Sequence, residues 1–129
     1  MKFVGFIKEI DANIFNAKPF KDMLLPIADP VEDRAGIIGY LNNGVFLTGA
    51  MSYIYDNDGL PIGNLDYFTD GEFIWPTYYR YYMEKYDNFY IDEELLSTAK
   101  KKGFTVAEVD KGKMHVLEDF FIANWSKKK

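Results

Sequence analysis

Few residues in this chain could carry chemistry, and they are scattered. His115 is the only histidine, and on a helix it stands four residues before Asp119, within reach of a hydrogen bond. A catalytic histidine needs a nucleophile beside it, because geometry and not mere presence defines such a group. The sequence around His115 offers none, so a structural role is expected. With no cysteine, thiolate ligands and a cysteine nucleophile are excluded, and a metal site would have to be built from carboxylates. Asp56-Asn57-Asp58-Gly59 begins like a calcium loop. That loop, however, wants its glycine sixth and a bidentate glutamate twelfth, where this chain has Tyr67. A turn is the expected role. Phosphate-cradling glycine loops and the G-x-S-x-G nucleophile elbow do not occur in the sequence. No cofactor and no metal are therefore expected.

Two constellations remain. Asp66, Asp70 and Glu72 surround one predicted hairpin, and a pair of carboxylates is what glycoside hydrolysis requires. Asp70 is accounted for by the turn, and solvated strand positions are the simpler account of Asp66 and Glu72. The second constellation is aromatic. Aromatics make up 18% of the chain, and nearly half of them fall between Tyr67 and Tyr90. A core-packing face uses most of these rings. The surplus forms a candidate binding patch of Tyr53, Tyr55, Tyr81 and Tyr90, together with Arg80, because aromatics and arginine dominate binding hot spots. Asp66 and Glu72 complete the set of candidate binding residues, and no catalytic residue is assigned.

The elements that must position these residues follow from periodicity. Phe3 to Ile7 reads as a first strand around Gly5, and Pro19 to Leu25 as a short helix stopped by Pro26. Asp29-Pro30-Val31-Glu32 predicts a capped helix start, with the helix ending at Asn43-Gly44 and Gly44 taking the left-handed conformation. Gly36 and Gly39 in this helix predict close backbone packing. Val45 to Tyr55 alternates as a long strand. One face would carry Val45, Leu47, Gly49, Met51, Tyr53 and Tyr55, the other Phe46, Thr48, Ala50, Ser52 and Ile54. Asn64–Thr69 and Glu72–Trp75 flank Asp70-Gly71, predicted as a two-residue turn with positive φ at both positions. Pro76 opens a helix at Thr77 whose wheel gathers Tyr78, Tyr79, Tyr82, Met83 and Tyr86 on one face, with Arg80, Tyr81 and Glu84 away from it. Asp92 caps the next helix, which ends in three lysines and Gly103. Phe104 to Val109 reads as a short strand. Met114 to Trp125 reads as a helix with Met114, Val116, Leu117, Phe120, Phe121 and Trp125 inward.

These elements predict one α+β domain over residues 1–129, an antiparallel meander sheet of about four to five strands packed against about four to five helices. The length of 129 residues suits a single core. A formal net charge of −5 argues against nucleic acid, whose phosphates supply most of that affinity, and favours a basic partner. The apolar start is cut by Lys8 and Glu9, and no run of 18 apolar residues follows, so no membrane span and a cytoplasmic location are expected.

Thr69-Asp70-Gly71-Glu72-Phe73-Ile74-Trp75-Pro76, followed by Tyr81-Tyr82 and preceded by Tyr40-Leu41-Asn42-Asn43-Gly44, resembles a group of small uncharacterised bacterial proteins that share a T-D-G-x-x-x-W-P junction. The likeness runs from Ile37 to Gly103. Some of these proteins look similar to immunity proteins that accompany bacterial toxins. That resemblance implies a non-enzymatic binding module that masks a basic toxin, and it brings no catalytic residues. Two further readings stand beside it: a small-molecule or sugar module with an aromatic pocket and carboxylates, and a homodimer that buries its own aromatic patch.

Overall fold

Strand β2 (Val45–Tyr55) and strand β3 (Pro61–Thr69) form a long antiparallel hairpin, and β4 (Phe73–Pro76) returns antiparallel along the far side of β3. The computed structural model describes residues 1–27 and 31–125 of the chain. Strand β1 (Lys2–Phe3) then lies parallel beside β4, giving the order β1-β4-β3-β2. The sheet is thus mixed and not a pure meander. The expected first strand is cut to two residues by Gly5, whose φ is +72° and whose Cα faces the Tyr79 ring so closely that no Cβ would fit. Only glycine satisfies both demands.

Five helices surround the sheet in the described residues: α1 (Phe20–Met23), α2 (Val31–Asn42), α3 (Thr77–Lys85), α4 (Glu93–Lys101) and α5 (Lys111–Trp125). The capping expected at Asp29 and Pro30 falls outside the described residues. The cap expected at Asp92 is present, its carboxylate accepting the Leu95 N–H at 3.0 Å. Phe104 to Val109, expected as a strand, is irregular and pairs with no strand among the described residues. Its first residue takes positive φ directly after Gly103, which turns the chain back under α2. There the Phe104 ring would meet a Cβ at Gly36 at 2.7 Å, so the close packing expected of Gly36 is real, whereas Gly39 faces open space. Gly44 is not left-handed. It is glycine because the Trp75 indole presses on its Cα.

The hairpin turn also differs from expectation. Thr69 pairs with Ile74, three residues from Asp70 to Glu72 separate the two strands, and of Asp70 and Gly71 only Gly71 has positive φ. Side chains do the rest. Asp70 Oδ1 accepts the N–H groups of Glu72 (2.9 Å) and Phe73 (2.8 Å), while Thr69 Oγ1 accepts the Gly71 N–H and donates to the Phe73 carbonyl. Tyr40 of α2 donates its hydroxyl to Asp70 Oδ2. Burial, with the Asp70 carboxylate second, pushes the Tyr40 hydroxyl far above its usual pKa.

The register places Phe68 and Trp75 on one face of the sheet and Tyr67, Thr69, Ile74 and Pro76 on the other. Trp75 tilts against Tyr40 and donates its N–H to the Leu41 carbonyl, so α2 covers the first face. Tyr67 stacks on Phe6 and lies 4.5 Å from the Phe121 ring, so the N-terminal segment and α5 cover the second. In α5 only Leu117 and Phe121 are fully buried, and Val116, expected inward, is exposed.

Helix α3 buries Tyr78, Tyr79, Tyr82 and Met83 as its wheel predicts, whereas Tyr86, expected on the same face, is the half-buried residue that ends the helix. Its hydroxyls all find partners. Tyr78 donates to Asp11 Oδ2 at 2.6 Å and accepts the Ile7 N–H at 3.0 Å. Asp11 is itself buried and takes the Tyr67 hydroxyl and the Trp125 indole N–H as well. Burial raises the Asp11 carboxyl above its ordinary pKa in spite of these donors. Replacing Tyr78 by Phe removes one donor from a buried carboxylate and one acceptor from a buried N–H. A loss of about 1–3 kcal/mol in folding free energy is expected from urea melts, and a loss under about 0.5 kcal/mol would show that the hydroxyl carries no structural weight.

Candidate functional site

Strand β2 stands at the edge of the sheet, paired among the described residues with β3 alone. An unpaired edge this long is a template for another chain, and proteins blunt such edges with bulges, charges or prolines. Here bulges do the blunting. The register slips between Phe46 and Thr48, between Ile54 and Tyr55, and most widely between Gly49 and Tyr53, where Met51 adopts a φ of 54° and stands wholly exposed. The strict alternation expected for β2 is lost, most of all at that widest slip, and only Leu47 of the strand is fully buried. Beyond it, Tyr53 and Tyr55 are 55% and 59% exposed and meet edge to face at 5.5 Å. Phe46 and Leu60 are exposed on the same hairpin.

Charge reinforces this surface. No lysine or arginine lies between Arg34 and Arg80, whereas Asp56, Asp58, Asp66, Asp70 and Glu72 do. The sole cation brought onto the β2–β3 turn among the described residues is Lys85 of α3, which bridges Asp56 (2.8 Å) and Asp58 (2.7 Å). Asp56 organises the turn. One of its oxygens accepts the Asp58 and Leu60 N–H groups and the other accepts the Tyr81 hydroxyl at 2.6 Å. Burial alone would raise its carboxyl pKa, but Lys85, Tyr81 and the two backbone donors outweigh that and hold it well below the usual carboxylate range. The same bonds, to Asp56 first and Asp58 second, raise the Lys85 ammonium above its usual value. A carboxylate and an ammonium locked in their charged forms are poor proton-transfer groups at neutral pH.

The structure gathers some of the candidate binding residues and separates others. Tyr53 and Tyr55 adjoin. Arg80 and Tyr81 line a shallow recess with Ile62 and Glu84, where the Arg80 guanidinium lies 4.6 Å above the Phe68 ring. Tyr90 lies elsewhere, beneath the Lys18 ammonium at 4.1 Å. Asp66 reaches toward Gly49 on the neighbouring strand. Glu72 is in the β3–β4 turn, 3.8 Å from Lys102, separated from Asp66 by ~10 Å of strand and the turn. His115 is exposed on α5. Among the described residues no cluster of three histidines and carboxylates could hold a metal, and no helix is long and apolar enough to cross a membrane.

Asp56 and Glu9 escaped the sequence reading. Asp56 carries in the sequence the signal of a turn and the opening of a calcium loop, but not its partners Tyr81 and Lys85, which lie more than 20 residues away. Glu9 looked like the charged end of an apolar run, yet it accepts the Phe20 N–H with both oxygens at the start of α1.

No protein-family model, no curated protein and no solved structure matches this chain.

The Asp56 carboxyl titrates lower in the fold than in the unfolded chain. Its contribution to stability is then full above the unfolded pKa near 4 and is lost as pH falls through the folded value. Asp56→Asn is expected to lower stability at pH 7 and to flatten the decline on acidification. Urea midpoints of the two proteins between pH 7 and pH 2 measure this, and parallel curves would contradict it.

Proposed function

We propose that this chain is a non-enzymatic, cytoplasmic protein-binding module that presents the β2–β3 hairpin to a basic protein partner. One observation carries the reading: an unpaired edge strand of 11 residues displays Phe46, Met51, Tyr53 and Tyr55 on a stretch of chain that has acidic residues and no basic ones. Exposed rings on a rigid strand supply contact area at small entropic cost, and an edge supplies backbone hydrogen bonds for an added strand. The acidic field speeds encounter with a cationic surface and rejects an acidic one. The resemblance to immunity-type proteins points the same way, toward an inhibitor that covers a basic toxin.

The sugar or small-molecule reading draws less support. Tyr78 and Tyr79 are fully buried, and Asp66 and Glu72 are separated by ~10 Å of strand and a turn. A homodimer through β2 is the competing occupant of the same edge, and the charge argues against it, since two acidic hairpins repel.

The test is co-purification with the products of neighbouring genes, followed by titration of the protein found. A basic partner is expected at 1:1. Tyr53→Ser combined with Tyr55→Ser should weaken its binding by about 2 kcal/mol or more, roughly thirtyfold. If no neighbouring product binds, or if the substitutions leave affinity unchanged, the reading fails. Sedimentation that shows a dimer abolished by these substitutions would assign the edge to a second copy instead.

A further inference from the structure

Beside Tyr55 the N-terminal segment and the β2–β3 turn enclose a groove of about 290 Å³. Its apolar walls are Ile7, Ile10 and Phe20, and it carries the rings of Tyr55 and Tyr82 and the carboxylate of Glu9. The floor is firm. Ile7 and Tyr82 are almost wholly buried, Phe20 meets Tyr82 edge to face at 5.0 Å, and the Tyr82 hydroxyl already accepts the Asn57 N–H. Asp56, on the same rim, is spent on Lys85 and Tyr81. Glu9 is different: among the described residues it forms no ion pair, and its carboxylate accepts one backbone N–H, that of Phe20.

An apolar trough with an exposed aromatic ring and, at its mouth, a carboxylate that accepts one backbone N–H but has no cation beside it suits one kind of side chain, a long aliphatic stem that ends in a planar cation. Such a stem lies along apolar surface while its head stays at the rim. A guanidinium stacks on an aromatic face and forks onto a carboxylate, which a compact ammonium cannot do in both ways at once. We infer that this groove is an anchor site for an arginine side chain of the partner. The inference rests on the proposed docking of a basic partner, because Tyr55 belongs both to the groove and to the β2 edge and makes the two continuous. It adds a residue-level specificity that net charge alone does not provide.

The probe is N-acetyl-arginine amide, titrated into the full chain and followed by NMR, with N-acetyl-citrulline amide as its neutral isostere. Shifts are expected at the Phe20, Tyr55 and Tyr82 rings. Citrulline should bind at least about fivefold more weakly, and Glu9→Gln and Tyr55→Ala should each weaken the arginine probe by a similar factor. Glu9→Gln keeps an oxygen for the Phe20 N–H, and the citrulline comparison needs no substitution at all, so loss of folding cannot imitate the result. Equal binding of citrulline, tighter binding of N-acetyl-lysine amide, or shifts confined to another part of the chain would each overturn the inference. The titration uses no partner protein. A captured partner with a silent groove would remove the arginine anchor alone, and a responsive groove with no captured partner would remove the docking reading alone.

Discussion

Buried tyrosine hydroxyls must be hydrogen-bonded, and this requirement organises the molecule. A hydroxyl left without a partner in the interior costs about 1–3 kcal/mol, and α3 sinks three tyrosines into the core. Each recruits a different loop. Tyr78 takes Asp11 and the Ile7 N–H, Tyr79 takes the Tyr90 carbonyl and the Asp92 N–H, and Tyr82 takes the Asn57 N–H. Tyr81, half exposed, adds Asp56. The helix thereby holds the N-terminal segment, the linker into α4 and the β2–β3 turn in fixed positions around itself.

This arrangement explains why an irregular N-terminal segment can close one face of the sheet. Residues between Phe3 and Phe20 have little regular structure, yet Phe3, Phe6, Ile7 and Ile14 are buried. Their backbone is satisfied by a pairing between Ile7 and Lys18 and by side chains, among them Asn16 on the Phe3 carbonyl. Asp11 is drawn inside because Tyr67, Tyr78 and Trp125 converge on it. A buried carboxylate is expensive when alone, and three donors offset much of that cost.

The same tethering leaves β2 as the part of the sheet with the least cover. Helix α3 packs on β3 and β4, and α5 approaches β2 as well, but six of the 11 residues of β2 stay exposed. The β2–β3 turn is anchored at its far end by Asp56, Lys85 and Tyr81, so the outer strand is held at that end without being covered. Anchoring with exposure is what the proposed binding edge requires, since a segment already held in place loses less ordering entropy on contact. The groove at Tyr55 exists for the same reason: the turn is held near α1 and does not collapse onto it.

Local chemistry was legible in the residues. Periodicity identified α3 and its buried tyrosine face, the 11 positions of β2, the Asp92 cap and the Trp75-Pro76 passage from strand to helix, because each depends on neighbours a few residues apart. The roles of Tyr81, Arg80 and Tyr90 were not legible, since their partners Asp56, Phe68 and Lys18 are distant in sequence. Nor was the parallel pairing of β1 with β4, which joins the first residues to Phe73 and Ile74, or the loss of the strand expected at Phe104. The sequence by itself determined the α+β composition, the acidic charge and the aromatic surplus. Tertiary structure alone decided which rings became core and which stayed on the β2 edge, because burial depends on contacts made across the chain.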